Sequence, residues 1–175
     1  MLLSYGETGK RFEVIEVKPL DVFQLKDFSV EVIQLEHVVP SFGFYIKEAD
    51  TERLNYERLR LDGFPFGLQI KDIRLKKDVT VDGKTYVAEQ YWEKKKGVRI
   101  LSVLDTNLSK TGLALAKFKD IADYMLTEMT FDDTDKIKAN KSGHSCTAYI
   151  KDIVQTLNIP KLIITHFTQK LFEAT

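Results

Sequence analysis

The 175 residues (20.2 kDa) suffice for one ordinary domain, and 43% of them are hydrophobic, which is enough for a sizeable core. The 26 basic and 26 acidic residues cancel, which argues against a general polyanion binder and against an acidic disordered chain. A single cysteine cannot form an intramolecular disulfide, and no apolar run approaches the ~20 residues of a membrane span. The first residues turn polar after Leu3, unlike a signal peptide. We therefore expect an intracellular, cytoplasmic, single-domain protein without a membrane partner.

The first third of the chain predicts a meander of antiparallel strands. Residues 11–18 and, more cleanly, 28–35 alternate apolar with polar or charged side chains. Residues 42–46 predict a further strand, which follows a short turn at Pro40-Ser41.

The middle third, residues 47–97, is dense in charge and weak in periodicity. Its one clear element is a hairpin, residues 79–81 and 85–87, joined through the turn dipeptide Asp82-Gly83. Between Lys47 and Arg99 there are 13 basic and 10 acidic residues, so the segment is mildly basic. By itself this pattern indicates a solvated insertion.

The last third alternates strands with helices. It predicts strands at 98–104, 124–127 and 161–165, and helices at 113–121, 132–139 and 145–157. A meander followed by this alternation indicates a layered α/β or α+β fold.

Residues with catalytic or ligating side chains fall at the ends of four predicted strands. His37, Asp105, Glu128 and His166 each follow a strand, and His144 precedes a helix. The carboxyl ends of strands are where α/β sheets usually build their sites. Taken together, these positions favour a metal or hydrolytic site.

Each of these residues also has a purely structural interpretation. Asp105 can cap a turn, Glu128 can be a surface carboxylate, and His144 can be an N-cap. His37 and His166 can be hydrogen-bonded histidines of the core or its rim.

Two other motifs are weaker. Gly6 to Lys10 imitates a phosphate-binding loop, but its spacing is too short and a strand follows it. Cys146 lies near His144, although a small residue in the first turn of a helix is its more ordinary role.

Five segments, in this order and spacing, resemble the RNase Z family, the tRNA 3′-processing endonuclease branch of the metallo-β-lactamase fold. They are LEHVVPSFGFYI (35–46), SVLDTN (102–107), ADYMLTEMTF (122–131), SGHSCTA (142–148) and LIITHFT (162–168). The resemblance runs from about residue 20 to near the end and is to the C-terminal half of the family. It implies a partial αββα sandwich over 1–175, with residues 47–97 as an inserted, exosite-like charged arm.

The resemblance implies a role for each candidate residue. His37 and His166 would each bind one of two zinc ions, and Asp105 would bridge both. Glu128 and His144 would orient and protonate the leaving oxygen of the phosphodiester. Precursor tRNA would be the substrate, gripped by basic residues of the arm: Lys71, Arg74, Lys76, Lys77, Lys94, Lys95 and Lys96.

Several departures from the family pattern accompany these matches. The family's His-x-His-x-Asp-His motif, which supplies most of the metal ligands, is absent from these 175 residues. Leu104, Thr127 and Met129 stand where the family has glycine, histidine and alanine. Because a catalytic zinc normally has about three protein ligands, we expect weak or no zinc binding and no activity by this chain alone. We also expect a homodimer, or a partner that supplies the missing N-terminal half.

Two other functions stay open at this stage. A different metal-dependent hydrolase of the same fold could act on a small ester or phosphodiester, because fold does not determine substrate. A non-catalytic binding subunit could keep the arm and the association surface.

Overall fold

A computed structural model describes residues 2–3 and 12–166. Within it the chain divides into two compact units. The first combines the residues up to Glu48 with those from Val98 onward, and the second is Ala49–Gly97.

The first unit is built on a six-stranded mixed sheet. The strands are β3 (Val22–Gln24), β4 (Phe28–Leu35), β5 (Ser41–Glu48), β10 (Arg99–Val103), β11 (Tyr124–Glu128) and β12 (Leu162–Thr165). Their order in the sheet is β12-β11-β10-β5-β4-β3, with β10, β11 and β12 parallel and the other neighbours antiparallel. Two short strands, β1 (Leu2–Leu3) and β2 (Phe12–Glu13), pair antiparallel outside this sheet.

Helices cover one face of the sheet. They are α3 (Leu108–Leu115), α4 (Lys136–Ser142) and α5 (Thr147–Leu157), with short 3-10 helices at Ala116–Phe118 and Asp133–Asp135. On α5 the buried residues Ile150, Ile153 and Leu157 recur at helical spacing. They share a core with Leu101 and Met125 from the central strands. The predicted mixed α/β class is confirmed.

Three predicted elements are wrong in extent. The helix predicted at 132–139 is a 3-10 helix at Asp133–Asp135 followed by α4, which runs on to Ser142. Residues 14–18 form no strand, and Val14 and Ile15 are exposed; Arg11 lies outside the described residues. The helix predicted at 113–121 begins at Leu108 instead, because the Asn107 side chain accepts the Ser109 N–H and caps it.

The second unit has a core of its own rather than being a solvated loop. It contains two antiparallel pairs, β6 (Thr51–Leu54) with β9 (Trp92–Lys95) and β7 (Val79–Val81) with β8 (Lys84–Tyr86). Two short helices, α1 (Tyr56–Leu61) and α2 (Ile70–Arg74), and a 3-10 turn at Ala88–Tyr91 complete it. Its buried residues are Leu54, Leu59, Phe64, Ile73, Val79, Tyr86, Ala88 and Tyr91.

Within residues 2–3 and 12–166, the helices fall short of the length and hydropathy that a membrane-spanning helix requires.

Candidate metal centre

Four side chains that can ligate a metal converge in the first unit. Asp105, Glu128, His144 and His166 each offer one ligand atom, and these atoms all lie within 4.8 Å of one another. The sequence is therefore right to expect these four residues close together, although they span 62 positions of the chain.

The parallel strands explain this convergence. Asp105 follows β10, Glu128 ends β11 and His166 follows β12, so all three lie at the carboxyl edge of adjacent strands. Asp105 and His166 adopt left-handed backbone conformations, with φ of 45° and 58°. Non-glycine residues seldom adopt this conformation, and when they do they cluster at functional sites.

Glu128 is fully buried and fully paired. Its Oε1 accepts the backbone N–H of Thr106 at 3.0 Å, and its Oε2 accepts the hydroxyl of Thr130. Nδ1 of His144 lies 2.8 Å from both carboxylate oxygens. A buried carboxylate surrounded by three donors keeps its orientation because each donor would otherwise lose a partner.

This contact also indicates the tautomer of the His144 ring. A carboxylate only accepts hydrogen bonds, so the Nδ1 of His144 carries the proton and donates it. The other ring nitrogen, Nε2, then remains available to bind a metal or to exchange a proton.

His166 and Asp105 form the exposed side of the cluster. Nδ1 of His166 lies 3.5 Å from Oδ1 of Asp105 and 3.6 Å from Oε2 of Glu128. The His166 and Asp105 side chains are 55% and 57% exposed, whereas that of Glu128 is 0% exposed. The cluster therefore has a buried anchor and an open face that a ligand can reach.

His37 lies beside the cluster and is not one of its four members. Its ring packs edge-on against that of His144, with centroids 4.8 Å apart, and its Nδ1 lies 2.9 Å from the carbonyl oxygen of Gly143. Because a carbonyl only accepts, Nδ1 donates and Nε2 is left with a free lone pair. His37 also borders a polar cleft of about 180 Å³.

Gly143 permits this close approach of His37. Its φ is +80°, and a Cβ built on it would lie 2.8 Å from Nδ1 of His37 and 2.9 Å from the backbone nitrogen of Val38. Only glycine combines that backbone conformation with that spacing.

Cys146 has no nucleophilic role in this geometry. It is fully buried at the N-cap of α5, and burial raises the pKa of its thiol. The reactive thiolate is therefore disfavoured at neutral pH.

Sequence reasoning missed two residues that organise the centre, Thr106 and Thr130. Both are buried hydroxyl residues bonded to the Glu128 carboxylate, Thr106 through its backbone. Thr130 lies two residues after Glu128, where the return of the chain from β11 brings its hydroxyl back to the carboxylate. Their proximity to Asp105 and Glu128 in the sequence was the only available signal.

The basic residues expected to grip RNA lie in the second unit. Arg74 lies over the ring of Tyr56 at 5.7 Å from its centroid, and Lys76 lies 5.2 Å from that of Trp92. Lys76 also pairs with Glu52. The remaining residues are on α2 and β9 or next to them: Lys71, Lys77, Lys94, Lys95 and Lys96.

The donor set suits a divalent transition metal. Imidazole nitrogens and carboxylate oxygens are the ligands of catalytic zinc, and the buried Glu128 orients His144 as outer partners orient metal ligands.

No family profile matches the chain.

Comparison with known proteins finds sequences similar to most of this chain. The chain is 31% identical over 172 residues to ribonuclease Z of Macrococcus caseolyticus, and 33% identical over 163 residues to ribonuclease Z of Listeria monocytogenes. The chain is a homologue of ribonuclease Z. These matches cover 97% and 89% of this chain but 55% and 51% of the two relatives, so it spans about half the length of the ribonucleases Z that it matches.

A solved structure shows the same fold. The metallo-beta-lactamase fold protein YhfI from Bacillus subtilis superposes with a TM-score of 0.52 at 12% identity. The superposition covers 89% of this chain and 43% of YhfI. The expected metallo-β-lactamase-like architecture is confirmed.

Proposed function

We propose that this chain forms part of a metal-dependent endoribonuclease of the ribonuclease Z type, acting at the 3′ end of precursor tRNA. The observation that carries the proposal is the Asp105, Glu128, His144 and His166 cluster at the carboxyl edge of the parallel strands. The homology with ribonuclease Z supports the choice of substrate class.

The open and the buried parts of the centre take different roles in this proposal. Asp105 and His166, on the exposed side, would hold the metal together with His37. Zinc fits the donor set, and when bound it supplies Lewis-acid stabilisation of the charge that develops on the phosphodiester. Glu128 holds Nδ1–H of His144, so that Nε2 of His144 can hold a proton and deliver it to the leaving oxygen.

The number of ligands limits what the chain does alone. A catalytic zinc ordinarily has about three protein ligands, whereas Asp105, His166 and His37 would have to serve two ions. We therefore propose that the isolated chain binds zinc weakly and cleaves little or no RNA.

The partner in this proposal is a polypeptide equivalent to the part of ribonuclease Z that this chain does not match. The face of the six-stranded sheet opposite α3 and α5 carries two rows of mostly apolar side chains, which lie outside the core cluster shared with the helices and, except for the buried Val32, are only partly buried. One row is Ile163, Leu126, Ser102, Phe44 and Val32, and the other is Tyr124, Ile100, Ile46, Val30 and Phe23.

This face is an apolar surface that is only partly buried. A cavity of about 270 Å³ on it is lined entirely by apolar side chains, and Ile163 is 50% exposed. A sheet must bury each apolar face against another layer, and a large exposed apolar patch marks an interaction site. We propose that the complementary half packs here and completes the ligand set.

Residues Lys71, Arg74, Lys76, Lys77 and Lys94 to Lys96 are the proposed RNA contacts. Local basic clusters can bind phosphates even though the whole chain has zero net charge. Tyr56 and Trp92 beneath Arg74 and Lys76 hold these cations in place over their ring faces.

The metal content of the purified chain and its cleavage of precursor tRNA test the proposal. Both are measured for the chain alone and after co-expression with the unmatched segment of Listeria monocytogenes ribonuclease Z as a separate polypeptide. We expect about two zinc ions and 3′ cleavage only in the complex. A complex that holds zinc but leaves precursor tRNA intact contradicts the substrate, and a complex without zinc contradicts the metal centre.

Substitutions on the sheet test the docking surface. Ile46→Glu places a charge in the middle of one apolar row and should abolish complex formation. Leu113→Glu is the matched control, because Leu113 is 90% exposed on α3. Copurification that survives Ile46→Glu contradicts docking on this face, and a homodimer in gel filtration identifies a second copy of the chain as the occupant instead.

A further inference from the structure

Two buried threonines close a ring of hydrogen bonds behind the metal centre. The backbone N–H of Glu36 donates to Oγ1 of Thr111 at 3.1 Å, and Oγ1 of Thr106 donates to the carbonyl oxygen of Glu36 at 3.2 Å. The two hydroxyl oxygens lie 2.6 Å apart. Because Thr106 gives its only hydroxyl proton to the carbonyl, the proton between the hydroxyls belongs to Thr111.

Every group in this ring is satisfied. Each hydroxyl donates once and accepts once, and Glu36 contributes one donor and one acceptor from its backbone. Thr106 and Thr111 are 0% and 1% exposed, so water cannot replace a lost bond without local opening. The ring therefore fixes the position of the residue that precedes His37.

The backbone of Thr106 reaches the other parts of the centre. Its N–H donates to Oε1 of Glu128 at 3.0 Å, and its carbonyl accepts the hydroxyl of Ser145 at 2.6 Å. Ser145 follows His144 directly, and its Oγ also accepts the Leu108 N–H at 3.0 Å. Thr106 thus joins three separate segments to the turn that carries Asp105.

We propose that Thr106 is a positioning residue of the metal centre, whose hydroxyl holds the His37 segment in place directly through the Glu36 carbonyl and indirectly through Thr111. The inference rests on the proposed function, because it gives His37 a ligating role. The backbone groups of Thr106 serve Glu128 and Ser145 whatever its side chain, whereas its hydroxyl contacts only Glu36 and Thr111, the two other members of the ring. A substitution that removes only the hydroxyl therefore separates the two effects.

The test substitution is Thr106→Val, which keeps the shape of the side chain. It leaves the Thr111 hydroxyl without its acceptor and takes one donor from the Glu36 carbonyl. Losing a buried hydrogen bond of this kind corresponds to about a tenfold change in a local opening equilibrium. We expect the Glu36 amide to exchange with deuterium about tenfold faster, and the ring nitrogen NMR signals of His37 to shift as its contact with Gly143 loosens.

Thr127→Val is the matched control. Thr127 is also 0% exposed, and its hydroxyl donates to the carbonyl of Val103 at 3.0 Å, outside the ring. It should leave the exchange rate of the Glu36 amide and the ring nitrogen signals of His37 unchanged. The exchange rate of the Leu101 amide, in a central strand, reports any global destabilisation. Thr106→Ser keeps the hydroxyl and should restore both signals.

Two outcomes overturn the inference. The first is that the Glu36 amide exchanges at the same rate in Thr106→Val and Thr127→Val, once each rate is corrected for that of the Leu101 amide. The second is that Thr106→Ser fails to restore the ring nitrogen signals of His37. Cobalt(II) affinity, measured by visible absorption in the complex with the complementary segment, is read separately. If the wild-type complex binds no cobalt, the proposed metal function fails, while exchange and NMR still decide whether Thr106 positions His37.

Discussion

Nδ1 of His144 lies 2.8 Å from both carboxylate oxygens of Glu128, a residue with no exposed surface. A buried carboxylate this close to an imidazole fixes its tautomer and directs Nε2 outward. The pair is the most constrained part of the centre, whereas Asp105 and His166 face solvent.

Replacing the buried carboxylate by an amide tests its charge. In Glu128→Gln the amide oxygen can still accept from Thr106 and His144, and Thr130 can reverse its hydroxyl to accept from the amide nitrogen. We expect the melting temperature to change little and the rate of precursor tRNA cleavage by the complex to fall about 10²–10⁴-fold, because His144 loses the partner that stabilises its proton-donating form. Glu89→Gln, at an exposed position of the second unit, is the control and should change neither quantity.

Two substitutions of Asp105 separate the effect of its charge from the effect of its backbone conformation. With φ of 45°, Asp105 occupies a region that asparagine tolerates and alanine does not. Asp105→Asn should lose metal binding with little loss of stability, whereas Asp105→Ala should lose metal binding and about 1 kcal/mol of unfolding free energy. Isothermal titration of the complex with zinc and urea denaturation of the chain measure the two effects. Equal stability of the two variants would show that the conformation costs nothing.

Gly143→Ala should displace His37. The added Cβ would lie 2.8 Å from Nδ1 of His37, and φ of +80° is strained for alanine. We expect a loss of about 1–3 kcal/mol in unfolding free energy, together with altered His37 ring signals. Gly83→Ala is the control, because φ there is also +80° but nothing lies within 4 Å of the added Cβ. It should cost stability without moving the His37 signals.

The Cys146 thiol should resist alkylation in the folded protein. Burial raises its pKa above the ordinary value, so both the thiolate and access to it are disfavoured. Because the pKa of the thiol is higher in the folded state than in the unfolded state, its contribution to stability is fully present at pH values below the unfolded pKa. This contribution is lost as pH rises through the folded pKa. Iodoacetamide labelling should be slow at pH 7.5 and fast in denaturant. Labelling at the same rate in both would contradict the burial.

Removing the second unit should leave the first one folded. Glu48 and Val98 are joined by a hydrogen bond of 2.9 Å from the Glu48 N–H to the Val98 carbonyl, so a short linker can replace Ala49–Gly97. The two units have separate buried cores. We expect a cooperative unfolding transition to remain and tRNA binding in a gel-shift assay to be lost. Tight binding by the deleted protein would place the RNA contacts in the first unit.

The sequence alone determined five of the six strands of the main sheet and the candidate residues that follow them. Residues 28–35 alternate so regularly that β4 has the expected bounds. β10 is one residue shorter than expected at each end, and β11 is one residue longer at its C-terminal end. Because parallel strands bring their carboxyl ends to one edge, the positions of Asp105, Glu128 and His166 after strands were enough to expect their convergence.

Only the tertiary structure decided how the centre is held. That Glu128 is buried and paired with His144, that His37 stands beside the four clustered residues, and that Thr106 bonds to three segments all depend on contacts between distant positions. The core of the second unit was missed for the same reason, since its elements are too short to show periodicity. Local pattern determines which face of an element is apolar, whereas the partner of a buried polar group is determined by packing.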